Sequence, residues 1–334
     1  MMKRRFLSVL PPVLAGVLLS SCEPPRGSGA AGPVAYRAAA SGWSIATLPQ
    51  RWSIRGFDED TDLSGMASWD GVHCLICSDE LRYIQSGIIS GSTVTAQQRI
   101  PLLGNDGTDT ELDAEGVAVA RPEGCYYVTG SHGVGKKSGR LQPSRLNVLR
   151  VPVNATTGQP DGGRIQSASL MLWVRSHPVL GRYAGQSLQA NGFNIEGLTW
   201  KGGKLWFGVR APNEGGDAFV IEADTGALFA GSPQAVLHRL PVGPGLGIRE
   251  IAALNDGFLI VTGTAASDVG SDDAFAFFHW RPGAAPVFIG EVPGPSGKAE
   301  GLYILGESGG QIDVLVVFDG APGGGPRAYR LTRP

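Results

Sequence analysis

Charge is scarce in this chain. Only 17% of its 334 residues are Asp, Glu, Lys or Arg, and the formal balance is −2. Nothing here forms the basic footprint that neutralises a phosphate backbone, which excludes nucleic acid as a partner. Cysteine is equally sparse, with four residues in all. Cys74 and Cys77 make a single C-x-x-C, and no second pair or histidine cluster completes a zinc site around them. The nearest approach to a phosphate-binding loop is Gly130-Ser-His-Gly-Val-Gly135-Lys136-Lys137. It lacks the hydroxyl that would hold magnesium and runs into Ser138-Gly139-Arg140 rather than a helix, so a nucleotide site is excluded as well. The apolar stretch from Phe6 to Leu19 is interrupted by Ser8 and Pro11-Pro12 and is too short for a membrane span.

That stretch reads instead as a leader. Lys3-Arg4-Arg5 precede it, and Leu19-Ser20-Ser21-Cys22 ends it. The pattern resembles the lipobox of bacterial lipoproteins, which implies cleavage before Cys22 and a diacylglycerol on its sulfur. An ordinary secretory signal cut nearby is the alternative. Residues 22–42, rich in Gly, Ala, Pro and Ser, have no apolar period and read as a tether. The expected organisation is a signal peptide over 1–21, a tether over 22–42 and one domain over 43–334. Such a protein would sit in the bacterial cell envelope, lipid-anchored and facing the periplasm or exterior, with inner and outer membrane both open. Removing the three leader cations makes the remainder more acidic still.

Glycine and proline are abundant, 50 and 23 residues, as many tight turns require. Between the turns a pattern recurs. Asp113-Ala-Glu115-Gly116-Val, Asn194-Ile-Glu196-Gly197-Leu, Gly247-Ile-Arg249-Glu250-Ile and Lys298-Ala-Glu300-Gly301-Leu each open an apolar run, then a glycine turn, then a second apolar run. Asp62-Leu-Ser64-Gly65-Met is a weaker fifth copy. The anchors Ser64, Glu115, Glu196, Arg249 and Glu300 are spaced 51, 81, 53 and 51 residues apart. A period near 50 built of short strands predicts an all-β protein, a β-propeller. Five blades are expected. The long gap holds strands near Cys125–Thr129, Leu146–Val153 and Ser167–Val174, then an aperiodic insertion from His177 to Asn191; a sixth, degenerate blade is the alternative. The last blade has three strands, over Gly301–Leu305, Asp313–Phe318 and Ala328–Thr332. Its fourth is expected from the N-terminal side, from Trp43–Leu48 or Trp52–Phe57, closing the open sheet edge.

Cys74, Cys125 and Trp206 each fall nine residues after an anchor glycine, which marks a core slot. Residues three apart on a strand face opposite ways, so Cys74 and Cys77 are expected to be structural rather than a metal or redox pair.

Asp113-x-Glu115-Gly116, Tyr126-Tyr-Val-Thr-Gly-Ser131-His132, Arg145-x-Asn-Val-Leu149-Arg150, Asn194-Ile-Glu196-Gly197-Leu, Gly208-Val-Arg210-Ala-Pro212 and Gly247-Ile-Arg249-Glu250-Ile together resemble the bacterial domain of unknown function 3616 family. The resemblance extends from about Leu63 to Phe318 and implies a propeller but no reaction. A more distant similarity, carried by the repeated Glu-Gly-Leu openings, is to the phytase-like esterase propellers.

The first strand of a blade lies nearest the axis, so Glu115, Glu196, Arg249 and Glu300 are expected to ring a central funnel. Three converging carboxylates repel one another. A proton, the Arg249 charge or a cation must relieve them, and calcium held by Glu115, Glu196 and Glu300 is the candidate metal. The alternative is a structural hub. Loops after each second strand gather at one end and carry Asp79, Ser131, His132, Arg210, Thr264 and Asp319. His132 is a candidate base or merely a hydrogen-bonding residue. Lys136, Lys137, Arg140 and Arg145 are candidates for gripping an anion above the funnel. Three functions fit: a binding module for a small anionic ligand, an envelope polymer or a protein; a metal-dependent phosphoesterase; and a sugar-acting enzyme using two funnel carboxylates. Base rates favour the first.

Overall fold

The strands of this protein read as nearly continuous apolar runs because most are buried on both faces. In the computed structural model, which describes residues 41–103, 111–265, 274–294 and 297–334, they form five sheets set as the five blades of a β-propeller. The leader, Cys22 and the tether through residue 40 lie outside the described residues. In chain order the strands are β1 (Ser44–Thr47), β2 (Ser53–Arg55), β3 (Leu63–Ser68), β4 (His73–Ser78), β5 (Tyr83–Ser90) and β6 (Thr93–Pro101). They continue with β7 (Ala114–Ala120), β8 (Cys125–Gly130), β9 (Val148–Pro152), β10 (Gln166–Ala168), β11 (Asn194–Lys201), β12 (Lys204–Glu214), β13 (Asp217–Asp224) and β14 (Ala235–Pro241). The remainder are β15 (Leu246–Leu254), β16 (Gly257–Thr264), β17 (Ala276–Trp280), β18 (Val287–Glu291), β19 (Lys298–Ser308), β20 (Gln311–Asp319) and β21 (Arg327–Thr332).

From the axis outward, the blades are β3-β4-β5-β6-β2, β7-β8-β9-β10, β11-β12-β13-β14, β15-β16-β17-β18 and β19-β20-β21-β1. The innermost strands β3, β7, β11, β15 and β19 pack side by side around the axis. Of the two N-terminal candidates for the missing fourth strand, the Trp43–Leu48 segment supplies it. Strand β1 pairs antiparallel with β21, Ile45 facing Leu331, and completes the last blade. Strand β2 pairs parallel with β6 and covers the outer edge of the first.

A blade has two buried faces, so alternation along a strand sends neighbouring residues into different cores. Five apolar clusters result, one in each inter-blade interface. Tyr126 packs between the first and second blades, and Tyr127 between the second and third. The same alternation parts the C-x-x-C. Cys74 enters the core between the last and first blades, while Cys77 enters the core between the first and second. Cys74, Cys77 and Cys125 are unpaired and buried.

The 81-residue gap is one blade with an insertion, so the six-blade alternative falls. The strand expected over Ser167–Val174 is half right. Strand β10 ends at Ala168, and helix α1 (Met171–Ser176) follows. Leu170, Met171 and Val174 have helical rather than alternating spacing, and all three enter the core between the second and third blades. Turns at Leu180–Arg182 and Leu188–Ala190 then carry the insertion towards the funnel mouth.

Candidate functional site

Every inner strand breaks its pairing register near its start, and β19 does so again between Ile304 and Gly306. Leu63 pairs with Ser78 and Gly65 with Cys77, which leaves Ser64 as the extra residue. The same slip isolates Glu115 between Ala114 and Gly116, Glu196 between Ile195 and Gly197, Arg249 between Ile248 and Glu250, and Glu300 between Ala299 and Gly301. A β-bulge frees its extra residue from the ladder and re-aims its side chain. The five anchors are therefore five bulges at equivalent places on the strands that surround the axis.

The glycines after the bulges make room for the neighbouring strand. A Cβ on Gly116 would lie 2.7 Å from the Leu198 Cβ, and one on Gly197 would lie 2.9 Å from the Ile251 nitrogen. At the fourth blade Glu250 stands where the others have glycine. Its Oε1 accepts from the backbone N–H groups of Leu198 (3.0 Å) and Ile251 (2.8 Å), stitching β15 to β11. Burial pushes its carboxyl well above the usual range, partly opposed by those two donors.

Around the ring the order is Ser64, Glu115, Glu196, Arg249, Glu300. Arg249, fully buried, stands between two glutamates and serves both. Its Nε lies 3.0 Å from Glu196 Oε2, and its Nη2 donates to Glu300 Oε1. Arg210, itself the extra residue of a bulge in β12, donates from Nη1 to Glu196 Oε1 at 2.5 Å and from Nε to the Ala265 carbonyl at 3.1 Å. Burial raises the Glu300 carboxyl to about 7 against the pull of Arg249.

The other side of the ring is different. Ser64 is small, and its buried Oγ has no hydrogen-bond partner. Glu115 forms no hydrogen bond or ion pair with any described residue. Burial, reinforced by Asp113, Glu196, Asp79 and Glu300, pushes its carboxyl well up. Asp79 follows β4 directly. Its Oδ1 is buried without a partner, and burial together with Glu300, Asp113, Asp319 and Glu80 raises its carboxyl to about 8.

A cavity of about 440 Å³ opens here. Asp79, Asp113, Glu115 and Asn194 line it together with Lys136, Arg145, Arg210 and Lys298. Leu188 and Gln189 of the insertion form part of its wall. Arg145, one of the expected anion-gripping cations, and Arg210 are spent internally. Arg145 donates to Asp113 Oδ2 at 2.6 Å and to Glu111, and Arg210 holds Glu196. Lys298 pairs with Asp319. At the opposite end the inner strands meet over a cavity of about 260 Å³ lined largely by Met66, Val117, Leu198, Ile251 and Leu302.

Ser131 and His132 lie beneath the site rather than in it. The Ser131 carbonyl accepts from Ile195 N–H (2.7 Å) and its Oγ from Gly133 N–H (3.1 Å), tying β8 to β11. His132 is buried at a φ of 56°. Its Nδ1 lies 2.9 Å from the Gly130 carbonyl, and its Nε2 accepts from Leu170 N–H at 3.3 Å. Those contacts fix an Nδ1-protonated neutral ring, and burial lowers its basicity to about 4. Among the described residues no three of His, Cys, Asp and Glu are grouped to hold a metal ion. Among the cavity's lining residues, Asn194, Gln189 and Lys298 were not singled out by sequence reasoning, and neither was the stitching Glu250 beside the ring. Glu250 had a visible signal, the single carboxylate in a column of glycines.

A five-bladed propeller with an ionic ring at one mouth defines the class. Within it, the chain belongs to the DUF3616 family of proteins of unknown function, whose sequence profile matches residues 162–328. No curated protein matches it in sequence. Among solved structures it is similar to the glutaminyl cyclase of Myxococcus xanthus, with 13% identity, 86% of this chain and 95% of that one covered, and a TM-score of 0.46. The PQQ-bound aldose sugar dehydrogenase of Streptomyces coelicolor shares 11% identity over 88% and 99% of the two chains, with a TM-score of 0.44. A Trichoderma reesei protein of Carbohydrate-Active Enzymes Family AA12, in its calcium structure, shares 8% identity over 90% and 98%, with a TM-score of 0.42.

Proposed function

We propose that this protein is a ligand-binding module whose site is the polar funnel mouth, carried at the cell envelope by a lipid on Cys22. One observation supports the reading above the others. The cations Arg145, Arg210 and Lys298 are consumed by internal carboxylates, whereas the buried Asp79 Oδ1 and Asn194 Oδ1 in the same cavity accept from no described residue, and Glu115 beside them has no ion-pair partner among the described residues. A buried acceptor left unmade is costly, and a ligand rich in N–H or O–H donors would satisfy it. This favours a polar, donor-bearing small molecule over the phosphate-like anion that the loop cations suggested.

The test is a melting-temperature screen of the purified full chain against sugars, amines, inorganic phosphate and calcium. Saturable stabilisation by donor-bearing molecules, reduced in Glu115→Gln, is the expected result. Stabilisation by phosphate alone, or by nothing in the panel, would overturn it. A shift with calcium that disappears in Glu115→Gln would place a metal ion in the same corner and revive the phosphoesterase alternative. The lipid is checked separately: mass spectrometry should find a diacylglycerol-modified Cys22 at the N-terminus, and an unmodified or differently cut chain refutes the anchor.

A second reading, a sugar-acting enzyme, is favoured by the Asp79 carboxyl. Held near 8, it keeps a proton at neutral pH beside a second carboxyl, as a general acid must. Turnover of nitrophenyl glycosides lost in Asp79→Asn would establish it.

A further inference from the structure

The ring is built of five equivalent bulges, yet its two sides differ in what they leave unsatisfied. On the Glu196–Arg249–Glu300 side each carboxylate has a guanidinium partner. On the Ser64–Glu115 side there is none, and Asp79 adds a second carboxyl with a buried, unpartnered Oδ1. Asn194 supplies an independent sign of a missing partner. The residue is nine-tenths buried, its Oδ1 accepts from no described residue, and it lines the same cavity.

These groups have one chemical character. All are acceptors, two carry negative charge when ionised, and Arg249 has already filled the corresponding gap across the ring. We infer that the Asp79–Glu115–Asn194 corner is a subsite for a primary ammonium group on the ligand. This inference rests on the binding-module reading and specifies which ligand the funnel takes. An ammonium is a compact cation with three donors, and the corner presents two carboxyl groups and an amide oxygen to receive them. A calcium ion asks for six to eight oxygens drawn around one centre, and no described group of three acidic or metal-ligating residues provides such a centre. A phosphate or carboxylate would oppose the ionisation of Asp79 and Glu115, whereas an ammonium group favours it. The hydroxyl-bearing body of such a ligand would lie towards Gln189 and Lys136, which line the outer cavity. The ligand class is therefore an amine-bearing polar molecule, with an amino sugar as the simplest probe.

The test uses matched pairs on the purified full chain. Calorimetric titrations compare glucosamine with glucose and N-acetylglucosamine, and putrescine with 1,4-butanediol. Each amine is expected to bind roughly tenfold or more tighter than its neutral counterpart, as one charge-assisted hydrogen bond supplies. That advantage should vanish in Asp79→Asn and in Glu115→Gln, while residual binding of the sugar body persists. Equal binding of glucose and glucosamine would overturn the ammonium subsite and leave the binding module standing. Failure of every probe to bind would overturn both. An amine preference that survives both substitutions would place the ammonium elsewhere. Both variants replace a carboxyl by an amide of the same shape, and their melting temperatures, measured alongside, separate a lost contact from a lost fold.

Discussion

At the scale of the residue, Arg249 decides what the ring is. It is fully buried between Glu196 and Glu300, with its guanidinium 5.9 Å from the Phe275 ring. Removing one partner of a buried ion pair leaves the other uncompensated, typically at a cost of about 3–5 kcal/mol. Arg249→Met leaves two carboxylates with one guanidinium, Arg210, on one of them. A loss in that range is expected in urea denaturation, and an unchanged midpoint would refute the triad. Arg249→Lys should recover only part, since one ammonium cannot span both glutamates with the geometry of a fork. The positions of the ring residues were legible because five copies of one motif stand in register. Their partners were not. Arg210 reaches Glu196 from a bulge in a different strand, and nothing in the spacing of β12 announces it. Ser131 and His132 read as exposed loop chemistry because they follow a strand end in a glycine-rich stretch. Their hydrogen-bonding capacity is taken up within the fold, His132 Nε2 by Leu170 N–H and Ser131 Oγ by Gly133 N–H, and no periodicity announces either contact.

At the scale of the element, the bulge and its glycine work together. The bulge turns a charged side chain off the ladder, and the glycine lets the next inner strand approach at backbone distance. Gly116→Ala tests this directly. Its new Cβ would meet the Leu198 Cβ at 2.7 Å and the Leu198 nitrogen at 2.9 Å, backbone that cannot swing aside. Overpacking of this kind costs typically 1–3 kcal/mol. Gly202→Ala, in a hairpin turn where a Cβ meets nothing, is the comparison for backbone conformation alone, its φ being 62°. Urea midpoints of the two variants should separate crowding from turn strain; equal, small losses would mean that the inner strands can spread. The blade strands themselves were readable to within a few residues, because turn residues such as Asn255-Asp256-Gly257 punctuate them. The fourth strand of the inserted blade was misread at its end. An apolar run of that length does not by itself distinguish alternation from a helical turn, and tertiary burial of Met171 and Val174 settled it.

At the scale of the molecule, two buried groups pull stability in opposite directions with pH. His132 is held neutral, with its basicity lowered by burial from 6.5 to about 4. Between those values the unfolded chain binds a proton that the folded chain refuses, so stability is lost as pH falls through that range, by up to about 3 kcal/mol. Asp79 behaves oppositely. Burial, with Glu300, Asp113, Asp319 and Glu80 around it, lifts its carboxyl from 3.8 to about 8. The folded chain keeps a proton that the unfolded one has released, and stability falls as pH rises from about 4 towards 8. Glu300, raised to about 7, and Asp113, raised to about 6, add to the same slope. Above pH 6.5 the histidine is neutral in both states, and only the carboxyls remain to set the trend. Urea midpoints of the full chain should therefore decline from neutral to mildly alkaline pH. In Asp79→Asn the decline should flatten at its alkaline end, and an unaltered slope would remove Asp79 from the account. An ammonium seated against Asp79 and Glu115 favours their ionised forms. Glucosamine should accordingly raise the melting temperature more at pH 8 than at pH 6.5, whereas glucose, with no charge to offer, should stabilise equally at both.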